Sequence, residues 1–244
     1  IVQTKEGISK EGWPLGLENR APGALPGLGK VLERNGFKET EVLGQLILNL
    51  MSLRALKLIN AGARQRMITL VKNTVEGKNK PEHLKLISRE ELLRRYITFY
   101  EVIAGRPTYV SLLLQYPLAA KRLGDVLGSG KWAAEYLNRH PLLLDELWDA
   151  RLSQIDDYTP VDFSFYIERT RARLADIPED DQETRMNLIS VVHHARLFRP
   201  LLADMAGRLT VERLADQLSA LADATLEIVI EQVWTTVPGR TIDR

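Results

Sequence analysis

The sequence predicts an all-α protein, a helical bundle of about eight to ten helices behind an irregular Gly/Pro-rich lead-in. Three observations carry this. Apolar residues recur at spacings of three and four along most of the chain. Val/Ile/Thr alternation of the strand type is missing almost everywhere. Helix start and stop residues, namely Ser, Thr, Asp, Gly and Pro, punctuate the apolar runs at helix-length intervals.

The elements follow in order. Residues 1–29 hold Gly12, Pro14, Gly16, Pro22, Gly23, Pro26, Gly27 and Gly29, a density of breakers that predicts an extended lead-in, with 1–38 as linker. Val42, Leu43, Leu46, Ile47, Leu50 and Met51 mark one apolar helix face. A second helix is expected over Arg54–Val75, weakened at Gly62 and ended by the polar run Gly77–Pro81. Ser88 and Glu91 form a capping-box pattern before an inner face of Leu92, Leu93, Tyr96, Tyr100 and Ile103, which Gly105 and Pro107 stop. Short helices are then expected over Thr108–Gln115, Leu118–Leu127, Trp132–Asn138 and Leu142–Leu147. Tyr116-Pro117-Leu118 and His140-Pro141-Leu142 begin like two copies of a helical repeat.

Thr159-Pro160-Val161-Asp162 reads as a helix start with Thr as N-cap and Pro at the first helical position. Pro178-Glu179-Asp180-Asp181 reads as another, its carboxylates favoured by the positive end of the helix dipole. The last helix is expected over Val211–Trp234, with Leu214, Leu218, Leu221, Ala222, Thr225, Ile228 and Val229 as its buried stripe. The all-helical domain is thus expected over 39–237, with two sub-bundles meeting near 105–117 as a further reading, and 238–244 as a tail.

Hydrophobic residues make up 45% of the 244 and charged residues 27%, the balance of a globular protein that buries a core rather than of a disordered chain. No apolar run approaches the roughly 18–20 residues that cross a bilayer, and no signal-peptide pattern opens the chain, so neither membrane nor export is expected and a cytoplasmic location is. Zero cysteines exclude disulfides and thiolate metal sites. The net charge of +1 argues against nucleic acid as a partner. That average conceals an asymmetry. Arg54–Arg106 carries twelve Lys/Arg against five Glu, and Asp145–Arg185 carries twelve Asp/Glu against five Arg. These are either solvated faces or surfaces that steer different protein partners. The chain opens on Ile1 rather than Met, which predicts a fragment.

Catalytic chemistry is hard to find. Gly128-Ser129-Gly130-Lys131 invites a phosphate-loop reading, but Asp125 stands where a glycine is needed and Trp132 where Ser or Thr would hold magnesium, so an interhelical turn is expected. His193 and His194 are adjacent and point to different sides of a helix, and His83 and His140 match no ligand spacing. Asp156-Asp157 and Asp180-Asp181 lack the third acid and rigid strand placement of two-metal chemistry, so loop solvation and helix capping are expected there. No Gly-x-Ser-x-Gly is present. Catalytic, cofactor-binding and metal-binding residues are therefore all expected to be absent from the chain.

Several stretches carry a resemblance. His140-Pro-Leu-Leu-Leu-Asp-Glu-Leu147, Ile177-Pro-Glu-Asp-Asp-Gln-Glu183, Ala195-Arg-Leu-Phe-Arg199 and Ala203-Asp-Met-Ala-Gly207 occur in one order, followed by the long helical stretch Val211–Trp234. In order and spacing, over roughly 87–234, the chain resembles the glutamine synthetase adenylyltransferase/deadenylylase family. The resemblance implies part of a bifunctional enzyme in nitrogen regulation. One nucleotidyltransferase domain attaches AMP from ATP to glutamine synthetase and a second removes it by phosphorolysis, with PII-type signal proteins and glutamine setting the balance. ATP and magnesium are implied for the full-length enzyme only, because the Gly-Ser and Asp-x-Asp motif of its catalytic domains is not found here.

The implied role is a helical regulatory or linker region lying just before a catalytic domain. Its implied partners are glutamine synthetase, a PII-type protein and the adjacent nucleotidyltransferase domain. A plain helical scaffold with no ligand-sensing role is the alternative. Arg199, Asp204 and Gly207 are the family-matched positions to watch. Arg199 and Asp204 could form a surface ion pair worth about 0–1 kcal/mol, with Gly207 a helix terminator, or all three could shape a surface for the catalytic domain. Pro200 departs from the family pattern and predicts a kinked or restarted helix.

Overall fold

A computed structural model describes Trp13 and residues 23–78, 87–148 and 161–234. Among these residues every regular element is helical: eleven α-helices and one 3₁₀ helix. The chain divides into two compact units, Ile1–Trp148 and Asp149–Arg244. The stretch 105–117 lies within the first of them. Thr159, Pro160 and the tail 238–244 lie outside the described residues.

In the first unit α1 spans Ala24–Arg34 and α2 spans Thr40–Met51. The breaker-rich segment does form a helix from Ala24, contrary to expectation. Pro26 sits in its first turn, where the missing N–H costs no intrahelical bond. Gly23 enters with φ of 90°, a conformation glycine adopts without strain. Leu28, Val31 and Leu32 then bury one face. Gly44 lets α2 approach closely: a Cβ there would stand 3.0 Å from Leu25 Cδ1. On α2 the buried face is Leu43, Gly44, Ile47, Leu48, Leu50 and Met51, with Leu46 half-buried, whereas Val42 is 49% exposed. The stripe is turned toward α1 by about one position from the expected one.

The expected single helix over 54–75 is two, α3 (Arg54–Leu58) and α4 (Ala61–Val75). The break falls at Asn60 rather than Gly62, because the Asn60 Oδ1 accepts the Ala63 N–H at 2.7 Å and so caps α4. Arg64, one turn on, donates from Nε to the Leu56 carbonyl at 3.0 Å and from Nη2 to that of Lys57 at 3.4 Å. The open end of α3 is thus closed by a side chain of the next helix.

Helix α5 (Arg89–Ile103) is the centre of the unit, packing on α2, α4, α6, α7 and α8. Ser88 Oγ accepts the Glu91 N–H at 3.1 Å, as its capping pattern predicts, while Glu91 Oε1 accepts from Arg95 Nε at 3.0 Å. All five expected inner residues are buried, joined by Ile97 and Phe99. Tyr100 OH meets Thr74 Oγ1 at 2.7 Å, so two buried hydroxyls satisfy each other. Burial pushes the Tyr96 phenol well above its ordinary range and keeps it neutral.

Helices α6 (Pro107–Gln115), α7 (Pro117–Ser129) and α8 (Lys131–Arg139) follow, the first two opening on proline at the first helical position. Pro141–Trp148 then winds as a 3₁₀ helix, burying Leu143, Leu144 and Leu147. Pro117 and Pro141 therefore start elements of different geometry, so the expected repeat is one of sequence and not of structure.

The second unit holds α9 (Ser164–Ala175), α10 (Gln182–Met205) and α11 (Val211–Trp234). Its core is Tyr166, Leu174, Ile189, Leu221, Ala224 and Ile228. Helix α9 begins four residues after Pro160, where Asp162 Oδ1 accepts the Ser164 N–H at 2.8 Å. Helix α10 runs on through Pro200, which is buried, so no restart occurs there. On α11 Gln217, Leu221, Ala224, Ile228 and Gln232 are buried. Leu214, Leu218, Thr225 and Val229 are half-buried, and Ala222 is exposed, against the expected stripe.

Candidate functional site

Positive charge in this chain is put to a recurring structural use. The last carbonyls of a helix lack intrahelical partners, and a guanidinium can reach several at once. Arg64 closes α3 in this way. Arg95 Nη1 donates to Leu127 O in the last turn of α7 at 2.8 Å, and Arg122 Nη1 to Leu147 O at the end of the 3₁₀ helix at 2.6 Å. Arg185 on α10 donates from Nη1 to Leu174 O at 2.9 Å and Ile177 O at 2.7 Å, at the end of α9, while its Nε and Nη2 engage Gln232 Oε1 on α11. Others hold connections: Arg89 lies 4.8 Å above the Phe37 ring, and Arg94 pairs with Glu39. Much of the basic excess over 54–106 therefore has partners within its own unit.

The acidic stretch is used similarly. Asp181 Oδ1 accepts the Thr184 N–H at 3.0 Å, and the hydrogen bonds from Thr184 hold its carboxyl below the ordinary range. Its expected role as a helix cap is what the structure shows. Asp145, in the His140–Leu147 stretch, has its pKa raised by burial and accepts from Tyr109 OH at 3.5 Å. Arg171 on α9 pairs with both Glu227 and Glu231 on α11. Asp156, Asp157 and His83 lie outside the described residues. Among the described residues no group of three or more His, Cys, Asp or Glu is placed to hold a metal ion.

The remaining sequence candidates have definite places. Gly128 and Ser129 are the last turn of α7, Ser129 Oγ donating to Val126 O at 2.8 Å, and Gly130 alone joins α7 to α8. His193 Nδ1 lies 3.1 Å from Thr225 Oγ1, which is itself 3.4 Å from Tyr166 OH and donates to Leu221 O at 2.7 Å. Burial lowers the His193 pKa and favours its neutral ring. One hydroxyl thus links all three helices of the second unit. His140 stacks obliquely on Tyr136, ring centroids 4.8 Å apart, and is also lowered by burial and by Arg139.

The family-matched positions lie at the C-terminal end of α10. Gly207 has φ of 67°, its N–H donates to Asp204 O at 2.7 Å, and the Arg208 N–H reaches back to Ala203 O at 2.9 Å. This is a Schellman termination, and the left-handed backbone at Gly207 is what its sequence position predicts. Arg199 and Asp204 are both half-buried. Five residues apart, they stand about 140° apart around the helix, so they face different ways and not toward each other. Sequence reasoning missed the arginine caps because each depends on a carbonyl that only tertiary packing brings near.

The glutamate-ammonia ligase adenylyltransferase family matches residues 120–243, half of the chain. The chain belongs to this family. The matched segment contains all the stretches that carried the resemblance, from His140 to Trp234. Among curated relatives, the bifunctional glutamine synthetase adenylyltransferase/adenylyl-removing enzyme of Aromatoleum aromaticum is 44% identical over 158 residues, 63% of this chain and 16% of the relative. Enzymes of the same description from Ralstonia nicotianae and Chromobacterium violaceum are 43% and 36% identical, over 61% and 62% of this chain and 15% and 16% of their own length. The chain thus spans about a sixth of these relatives. For this family member, the end of α10, the whole of α11 and the 3₁₀ helix fall inside the matched region.

Proposed function

We propose that this chain is a helical regulatory part of a bifunctional cytoplasmic enzyme that adenylylates and deadenylylates glutamine synthetase. In this reading it couples a PII-type signal protein or glutamine to a neighbouring AMP-transfer domain. The observation that carries the reading is the family match over an all-helical region whose conspicuous charged residues are engaged in helix capping and interhelical pairing. ATP and magnesium belong, in this reading, to the neighbouring domains. The work of this chain is mechanical. A ligand that binds one arrangement of the helices better than another shifts their populations, and the shift changes access to the transfer site.

Deleting 1–244 from the full-length enzyme is expected to leave AMP transfer measurable but no longer responsive to the PII-type protein. Unchanged regulation would sink the proposal. Calorimetry of the 244-residue chain against uridylylated and unmodified PII-type protein is expected to show heat with one form only. No heat with either form, together with loss of regulation on deletion, would favour a scaffold that acts only when joined to the catalytic domain. Titration with ATP and magnesium is expected to give no heat of binding.

A further inference from the structure

The outward face of α11 is a second apolar stripe, distinct from the one that packs into its unit. Ala215, Ser219, Ala222, Leu226, Ile230 and Val233 succeed one another at three or four residues and are all exposed, Leu226 and Ile230 at 57% and Val233 at 46%. Such spacing lines one side of a helix over about 27 Å. The buried residues Gln217, Leu221, Ala224 and Ile228 occupy the opposite side, so α11 is apolar on two faces at once. A helix with a single core-facing stripe needs no second one, and three adjacent large exposed side chains form an apolar patch that a partner can cover.

The edge of this stripe says what covers it. Glu212, Asp216, Asp223 and Glu227 run along one side, all exposed. Glu227 pairs with Arg171 of α9, and Asp216 lies 3.6 Å from Arg213, the sole basic residue of the helix. Four carboxylates against two guanidiniums leave the edge acidic. A second copy of α11 packed antiparallel would bring two acidic edges together, and an anionic lipid surface would be repelled in the same way. An amphipathic helix whose apolar stripe is bordered by lysine or arginine meets both requirements. The small residues Ala215, Ser219 and Ala222 admit close approach at one end, and Leu226, Ile230 and Val233 supply apolar area at the other.

We propose that the Ala215–Val233 face of α11 is a docking surface for a basic-edged amphipathic helix of a partner protein. The reading is independent of which signal the chain answers to.

The test uses the whole 244-residue chain and a synthetic helical peptide of about 18 residues, long enough to lie along the stripe, with leucines on one face and lysines along its edges. Binding is followed by calorimetry or fluorescence anisotropy at two salt concentrations. The lysine peptide is expected to bind, at least about tenfold more tightly than the same peptide with glutamate for lysine, and more weakly at high salt. Ile230→Glu is expected to weaken it by about tenfold or more with unchanged helical circular dichroism, because Ile230 is exposed. Should that variant lose its fold, the double change Asp216→Lys and Asp223→Lys decides, since it should now favour the glutamate peptide. Equal binding of the two peptides, no binding, or full binding by Ile230→Glu would each overturn the proposal. So would self-association of the chain that Ile230→Glu abolishes, because a second copy would then be the occupant.

Discussion

The two units solve the same problem with different means. The larger one is held by bulk: Tyr96, Phe99, Tyr100, Leu28, Leu32, Leu43, Ile47, Leu50, Met51 and Leu56 are among its fully buried side chains. Among the described residues, forty buried apolar residues belong to the first unit and ten to the second. The three helices described in the second unit surround few side chains, so fixed points are needed elsewhere. Here the fixed points are polar. Arg185 ties α10 to the end of α9 and to α11, Arg171 ties α9 to two glutamates of α11, and Thr225 joins His193 and Tyr166. The first unit therefore rests on packing, and the second on hydrogen bonds and ion pairs that single substitutions can remove.

The sharpest way to break the comparison is to remove one core side chain from the first unit. Phe99 is fully buried, and Phe99→Ala should cost that unit about 3–5 kcal/mol, the range for buried aromatic truncation. Native-state hydrogen exchange resolved by helix would show the loss in α2, α4 and α5 and none in α10 or α11. A loss below about 1.5 kcal/mol, or an equal loss in both units, would mean that the division into two folding units is wrong.

Next in size is Arg185→Met, which keeps an apolar stem but strips the bonds to Leu174 O, Ile177 O and Gln232 Oε1. Leaving those acceptors without a charged donor should cost the second unit about 2 kcal/mol. Arg185→Lys should restore less than half of it, because an ammonium cannot span acceptors that a planar fork reaches together. The readout is again exchange protection, in α9 and α11. Full rescue by lysine would reduce the clasp to simple charge.

These side chains also mark the boundary of what the sequence made legible. Local chemistry was readable: Ser88 and Asp181 cap the helices that their positions announce, Gly207 ends α10, and the inner face of α5 follows from spacing alone. Long-range chemistry was not. That α1 persists past Gly27 and Gly29 depends on packing against α2 at Gly44, and that α3 stops at Leu58 depends on Asn60 and Arg64 beyond it. The face that Ala222 takes was misread because α11 has two apolar stripes, and periodicity cannot say which of two is inside. The expected Arg199–Asp204 ion pair was a different kind of miss, since a five-residue spacing within one helix already sets the two about 140° apart.

The smallest expected effect concerns pH and separates the units again. In the second unit burial lowers the His193 pKa below its ordinary 6.5, so the unfolded chain takes up the proton first. The folded state therefore binds fewer protons, and stability rises with pH. The contribution is fully present above the unfolded pKa and is lost progressively as pH falls through it toward the lower folded value. The ring is only half-buried, so the effect should be the smallest of the three. His193→Gln, whose amide can still donate to Thr225 Oγ1, should flatten the dependence of the second unit as pH falls through and below the ordinary histidine value of 6.5. His140 is lowered in the same direction in the first unit, by burial first and by Arg139 second. His140→Gln should then flatten the first unit and leave the second unchanged. If His140→Gln flattened the second unit as well, the two would not be unfolding separately, and the contrast between a packed unit and a clasped one would have to be given up.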